Sequence, residues 1–308
     1  MQHATKMLDV AVIIVSWNVR DYLADCLRSV YSEFRRSHLT GTVWVVDNNS
    51  TDGTQDLVFD LFPQVNLITN NHNPGFGAAN NQGMLAAAEF RPRYYFLLNP
   101  DTLVRPGSIK ALVEFLDGNP KAGVAGARLV YGDGRFQHSA FAFPGISQLM
   151  FDLFPMPARL YESRVNGRYP RRFYNSNNRP FQVDHPLGAT MMVRRDVAEA
   201  TGGFDEDFFM YCEELDWCWR IREAGWQIYT VPAAEIVHYG GESTKQVAAR
   251  SLVNLWDSRA KFYRRHHGPV TNAIARQLVA WAMMRKVKQT QEPDLRQAYQ
   301  QITTIWQK

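Results

Sequence analysis

Eight consecutive residues, Val10 to Trp17 (VAVIIVSW), carry no charge and are rich in β-branched side chains, so a strand formed here has to be covered on both faces. Two-sided burial is the condition of a parallel sheet flanked by helices, and the sequence downstream supplies the other parts. Leu23, Cys26, Leu27, Val30 and Phe34 recur at helical spacing, and Thr42 to Val46 (TVWVV) is a second apolar run ending in Asp47-Asn48-Asn49-Ser50. The Asp52-Gly53 turn then precedes a helical stretch at about Thr54 to Leu61. Val65 to Thr69 reads as a further strand, residues from about Gly77 to Phe90 as a helix, and Tyr94 to Leu98 (YYFLL) as a buried strand running into Asn99-Pro100-Asp101. Strand and helix alternate, which predicts an α/β fold on a mainly parallel sheet.

In such sheets ligands gather beyond the carboxyl ends of the strands. Ser16-Trp17-Asn18, Asp47-Asn48-Asn49 and Asn99-Pro100-Asp101 all follow strands and are expected to share that rim, although each alone is also ordinary turn chemistry. Residues from about Tyr131 to Pro180 show no sustained period and read as a long functional loop or a small insertion. Strands are expected at about Gln227 to Val231 and Glu235 to Tyr239.

Several classes are disfavoured. Neither G-x-G-x-x-G after the first strand nor G-x-x-x-x-G-K-[ST] occurs, which argues against a Rossmann dehydrogenase and a P-loop NTPase. The three cysteines, Cys26, Cys212 and Cys218, form no C-x-x-C pair, so neither a disulfide framework nor a structural zinc site is expected, and all three read as packing residues. No window resembles a spanning helix, and MQHATKMLDV has no signal-peptide character, so a cytoplasmic protein is expected.

The chemistry that remains is acidic. Asp47, at one strand end, could accept a hydrogen bond from the imino group of a uracil-like or thymine base, and Asp101, at another, could hold Mg²⁺ or Mn²⁺ against a diphosphate. His238 is a candidate nitrogen ligand, or equally a hydrogen-bonded surface histidine. Glu213-Glu214-x-Asp216 places three carboxylates in four positions beside Trp217 and Trp219. Acids in a first helical turn suit the helix dipole, while aromatic surroundings would raise a carboxyl's pKa toward that of a general base.

Charge is unevenly distributed. Residues 246–308 carry eleven Lys or Arg against three acids, a balance of +8, whereas the whole chain is only +4. Within that tail Val270, Ile274, Leu278, Trp281 and Met284 recur at helical spacing near Arg276, Arg285, Lys286 and Lys288. This pattern fits a helix lying on an anionic membrane surface, and fits equally a helix packed on the main domain with its basic face in water. No nucleic-acid-binding motif accompanies the charge.

Taken together, VVDNNSTDGT (Val45 to Thr54), the Gly- and Asn-rich stretch Asn71 to Gly83, LLNPDT (Leu97 to Thr102), Gly188 to Arg195, Phe204 to Trp226 and HYGGEST (His238 to Thr244), with Val12 to Asn18 before them, resemble the successive signatures of family-2 inverting glycosyltransferases, closest to bacterial rhamnosyltransferase-like members. The likeness spans about residues 8 to 245. It implies a GT-A fold, a Rossmann-like mainly parallel sheet flanked by helices, at 8–245, with a helical extension at 246–308. It also implies a nucleoside-diphosphate sugar donor, dTDP- or UDP-linked, and a glycan or lipid-linked acceptor at the inner face of the cell membrane.

Carried over by position, Ser16, Asn18, Asp47, Asn49, Gly75, Gly77, Asn80, Asn99 and Asp101 would serve the donor, with Asn99 replacing the first acid of the family's D-x-D. Asp101 and His238 would hold Mg²⁺ or Mn²⁺. Gly188, Ala189 and Trp217 would lie on the acceptor side, and Glu214 matches the catalytic base, with Glu213 and Asp216 as alternates. Two other readings keep the residues but change the role, a sugar nucleotidyltransferase and a non-catalytic nucleotide-sugar-binding scaffold.

Overall fold

A computed structural model describes residues 8–175, 178–242 and 244–307. Ser243, within the HYGGEST stretch, and the N-terminal segment 1–7 lie outside the described residues.

The alternation read from the sequence is realised closely in the first hundred residues. Strand β1 (Val10–Ser16) is followed by helix α1 (Arg20–Ser37), β2 (Gly41–Asp47), α2 (Thr54–Leu61), β3 (Asn66–Thr69), α3 (Phe76–Ala87) and β4 (Tyr94–Leu98). Strands β3, β2, β1 and β4 lie side by side, all parallel. Side chains alternate along β1: Val10, Val12 and Ile14 enter a core with Leu23, Leu27 and Val30 of α1, whereas Ala11 and Ile13 enter a second core with Met84 and Ala87 of α3. This is the two-sided coverage that an uninterrupted apolar run requires.

Beyond β4 the sheet changes character. Strand β5 (Thr102–Val104), helix α4 (Ser108–Gly118) and strand β6 (Ala122–Val130) come next in the chain. The strand Thr190–Arg194 is inserted antiparallel between β4 and β6, and β5 closes the far edge beside the long strand Gln227–His238. That long strand corrects the expectation of two strands. It is one continuous element, twelve residues long, whose register with β6 shifts between Val231 and Glu235, so Pro232 to Ala234 form an irregularity rather than a turn.

The stretch Tyr131 to Pro180 is also more ordered than expected, with two-residue strands at Phe136–Gln137 and Ala140–Phe141 followed by helices at Ile146–Leu153, Ala158–Tyr161 and Arg171–Asn175. The basic tail forms three helices, Ala248–His266, Pro269–Gln289 and Pro293–Gln307. Trp256, Phe262, Tyr263, Val279, Met283, Ile302 and Trp306 make a third core with Leu149, Phe208 and Cys212 of the main body. The packing face of the middle helix is Ala275, Val279, Ala282 and Met283. Of the expected stripe, Leu278 packs against this core and Trp281 touches Phe154 of the body, while Val270, Ile274, Met284 and half of Trp281 are exposed, so most of the stripe is not the surface through which the tail joins the body.

Candidate functional site

Strand ends and one helix start enclose a cavity of about 260 Å³. Its wall includes Asn99, Pro100 and Asp101 after β4, Gly188 and Ala189 before the antiparallel strand, His238 at the end of the long strand, and Glu213 and Glu214 opening the helix Glu213–Glu223. Residues more than 130 positions apart in the chain thus meet, as carboxyl-end ligand sites of α/β sheets require.

Asp101 is almost fully buried, and its Oδ1 lies 3.5 Å from Nε2 of His238. Burial alone would raise the Asp101 carboxyl, but the hydrogen bond and charge of His238 outweigh it and hold the group below the usual carboxylate range. His238 is fixed on its other side by Gln137, whose Oε1 is 3.2 Å from Nδ1. Asn99 approaches the same Nε2 at 3.5 Å through its amide nitrogen. A carboxylate and an imidazole converging on one wall of a cavity fit a hard divalent cation that completes its shell with substrate oxygens. Among the described residues no group of three or more His, Cys, Asp and Glu gathers to ligate an ion without such help.

The two glutamates differ. Glu213 is buried, its Oε2 has no hydrogen-bond partner among the described residues, and burial followed by the charge of Glu214 pushes its carboxyl well up. Glu214 is only half-buried, and desolvation raises its carboxyl to about 7. Asp216 does not line the cavity. It turns into the protein, where Arg220 reaches it at 2.9 Å and His266 at 2.8 Å.

The helix that carries these acids starts from a strained approach. Tyr211 (φ 69°) and Cys212 (φ 64°) are consecutive non-glycine residues in left-handed conformation directly before Glu213. Tyr211 and Met210 line the cavity, although nothing in the sequence pattern marks them beyond their position beside the acidic run.

The remaining expected donor residues do not line the cavity, although their neighbours Val15, Trp17, Asn48 and Phe76 do. Asp47 is fully buried, and its Oδ2 accepts from the Ser50 amide at 3.1 Å and Gln55 Nε2 at 2.7 Å, while Oδ1 has no partner among the described residues. Ser16 is also fully buried, its hydroxyl without a partner among the described residues, and its carbonyl accepts from the Asn48 amide. Asn18 (φ 53°) pins the Ser50-Thr51 turn through its own amide and its Oδ1, and Asn49 is exposed.

Gly75 and Gly77 hold the start of α3 against the Phe204 to Glu213 segment, and Asn80 donates back to the Phe76 carbonyl within α3. Asn48, expected on the rim, and Asn73, within the Gly- and Asn-rich stretch, line the cavity. Asn48 Nδ2 donates to Asn73 Oδ1 at 3.2 Å and to the Gly75 carbonyl at 3.3 Å, tying the second strand end to the glycine loop. Trp217 does not reach the cavity. It is fully buried against Phe204, and its indole donates to Thr201 Oγ1 at 2.7 Å. All three cysteines are unpaired and buried, with burial pushing the Cys26 thiol up to about 12.

The model of the family described as Glycosyl transferase family 2 matches residues 11–202. The N-acetylglucosaminyl-diphospho-decaprenol L-rhamnosyltransferase of Mycobacterium tuberculosis is 31% identical over 224 residues, covering 68% of this chain and 70% of its own length. Rhamnosyltransferase WbbL of Escherichia coli is 23% identical and covers 82% of this chain and 91% of its own. Among solved structures, the mannosyltransferase PcManGT from Pyrobaculum calidifontis, in complex with GDP-Man and Mn²⁺, superposes with a TM-score of 0.58 at 18% identity, covering 98% of this chain and 85% of that one. GalNAc-T7 with UDP, GalNAc and Mn²⁺ gives 0.61 at 12% identity, covering 98% of this chain and 56% of that one. The fold is therefore the GT-A glycosyltransferase fold, with a helical C-terminal region.

Proposed function

The chain belongs to glycosyl transferase family 2, and from that premise we propose that it transfers rhamnose from dTDP-rhamnose, with inversion, to a hydroxyl of a lipid-linked glycan acceptor. Glycosyl transfer itself follows from the family. The rhamnosyltransferase relatives support the sugar, and the relative whose name specifies a diphospho-decaprenol supports the lipid-linked acceptor. The observation that carries the reading is the sharing of one cavity by Asp101 with His238 and by Glu214.

The division of labour follows from the electrostatics. Asp101, held ionised, and His238 would bind Mg²⁺ or Mn²⁺, which when present neutralises charge on the leaving diphosphate. Glu214, with its carboxyl near neutrality, is poised to accept the acceptor's hydroxyl proton as that oxygen attacks the anomeric carbon from the face opposite the diphosphate. Glu213, whose carboxyl is pushed well up by burial and by the charge of Glu214, stands beside it in the same wall. The Oδ1 atom of Asp47 is without a partner among the described residues but fully buried, so it would take the imino N–H of a thymine or uracil base only with the segment 50–55 displaced by the donor. Gly188 packs against Glu214, where a Cβ would meet its Cγ at 3.4 Å, and leaves that side open for the acceptor.

The test is direct. Purified protein is incubated with dTDP-rhamnose, UDP-sugars or GDP-sugars, a polyprenyl-diphosphate-linked N-acetylglucosamine acceptor and Mn²⁺ or Mg²⁺, and nucleotide products are separated. Release of dTDP with a glycosylated lipid supports the proposal. Turnover with another donor alone overturns the rhamnosyl assignment, and pyrophosphate release would indicate nucleotidyl transfer.

A further inference from the structure

The helix Pro269–Gln289 is apolar on two faces, and only one of them is used. Ala275, Val279, Ala282 and Met283 are buried in the third core. On the other side Val270 is 71% exposed, Trp281 52%, and Ile274 and Met284 45% each. Four of the ten exposed large apolar residues among those described therefore fall on this single helix. An ordinary surface helix would place charges there. Here the charges border the stripe instead. Arg285 and Lys288 are exposed at its C-terminal end, and the Arg285 guanidinium lies over the Trp281 ring at 5.9 Å. A groove lined by Trp281, Met284, Arg285 and Lys288 runs beside the last helix.

A second segment, distant in sequence, extends the same chemistry. Trp281 packs on Phe154 with ring centroids 5.6 Å apart. The helix Ile146–Leu153 leading to Phe154 touches both the helix Pro269–Gln289 and the turn Arg164–Asn166, where Val165 is exposed. Residues 159–179 hold six arginines against one acid, Glu162. The acid nearest the junction, Asp152, is already paired with Arg259 at 2.8 Å. No helix among the described residues is long and apolar enough to cross a membrane, so an apolar stripe edged by cations suits attachment to a membrane rather than insertion across it.

We propose that the face formed by Val270, Ile274, Trp281 and Met284, with Arg285 and Lys288 at its edge and the Arg164–Asn166 turn joined to it through the helix Ile146–Leu153, docks this protein onto an anionic bilayer surface. The exposed Arg285 and Lys288 bordering the stripe select the occupant, since an apolar partner alone gives no reason for cations there. Trp and Met enter the boundary between headgroups and acyl chains, and Arg285 and Lys288 meet the lipid phosphates. That docking delivers the enzyme to a lipid-linked acceptor rests on the function proposed above. The docking itself does not.

The experiment is co-sedimentation of the full chain with vesicles of phosphatidylcholine alone and of phosphatidylcholine with about one third phosphatidylglycerol, at low and high salt. The wild type should pellet with the anionic vesicles, less so at high salt, and weakly with the zwitterionic ones. Trp281→Glu with Met284→Glu, both exposed positions, should weaken anionic-vesicle binding by about tenfold or more. Arg285→Glu with Lys288→Glu should remove the preference for anionic lipid while unfolding at an unchanged temperature. Wild type that stays in the supernatant, or a Trp281→Glu/Met284→Glu variant that pellets as well as wild type, overturns the proposal. So does a dimer in light scattering that this double variant dissociates, which would make the face an interface between copies. Nucleotide release with a water-soluble acceptor is measured in parallel. Vesicle binding without sugar transfer from any donor would sink the proposed reaction alone.

Discussion

Nε2 of His266 lies 2.8 Å from Oδ1 of Asp216, so the helix that presents Glu213 and Glu214 to the cavity is gripped from behind by the basic C-terminal helices. Arg220 holds the second oxygen at 2.9 Å, and Arg265 stands 3.8 Å from the first. Burial alone would raise the Asp216 carboxyl, but the His266 and Arg220 contacts outweigh it and lower it. His266→Ala should therefore cost about 1–3 kcal/mol, the usual penalty for a buried group that loses one of its partners. Because the folded-state value lies below the unfolded one, the contribution is complete above about pH 4 and fades as pH falls through the lowered folded value. Thermal melts between neutral and acid pH should show the gap between wild type and variant closing at the acid end.

Glu214 titrates where Asp216 does not. With its carboxyl raised to about 7, wild-type turnover should fall as pH drops below that value, because the base becomes protonated. Glu214→Gln should lose about 10²–10⁴-fold in kcat and lose the inflection, while donor affinity stays nearly unchanged. Glu213→Gln should keep the inflection, because desolvation of Glu214 itself, and not its neighbour, raises that carboxyl. Full turnover by Glu214→Gln would transfer the role to another group.

Asp101→Asn and His238→Ala act on the other end of the reaction. Each should diminish the stabilisation that Mn²⁺ adds to nucleoside-diphosphate binding, read as the difference between melts with dTDP alone and dTDP with Mn²⁺. Glu214→Gln should retain that difference. A ligand-saturated wild type, at about one hundred times Kd, should gain about 2.7 kcal/mol, enough to see the loss clearly.

Legibility from sequence tracked the kind of packing each segment uses. The strands β1, β2 and β4 declared themselves because burial on both faces leaves a continuous apolar run, and their polar ends followed. Strand β6 (AGVAGARLV) was silent because its neighbours demand small residues. A Cβ on Gly126 would lie 2.4 Å from that of Pro186, and one on Gly123 would lie 3.0 Å from that of Trp226. No periodicity records such long-range crowding.

The acids of the site were legible as a cluster, but the parting of Glu214 into the cavity from Asp216 toward His266 depends on a partner fifty residues away. The tail's amphipathic spacing was visible too. Which of its faces is buried was not, since Ala275, Ala282, Val279 and Met283 fill the packing face while Val270, Ile274, Trp281 and Met284 are left exposed.

Gly75 offers the sharpest test of how the cavity is assembled. Its backbone, at φ 102° and ψ 172°, occupies a region open essentially only to glycine, and an added Cβ would sit 2.3 Å from the Phe209 carbonyl oxygen. That oxygen accepts the Phe76 amide at 3.0 Å, which joins the start of α3 to the loop running through Met210, Tyr211 and Cys212 into Glu213. Gly75→Ala must displace this loop as well as strain its own backbone, so both stability and turnover should fall. Gly107 is the control. It too has positive φ, at 86°, but nothing lies within 4 Å of its missing Cβ, so Gly107→Ala should cost about 1–2 kcal/mol of stability and leave kcat untouched. If the two variants lose turnover equally after correction for the folded fraction, the coupling between the glycine loop and the acidic helix is not what shapes the cavity.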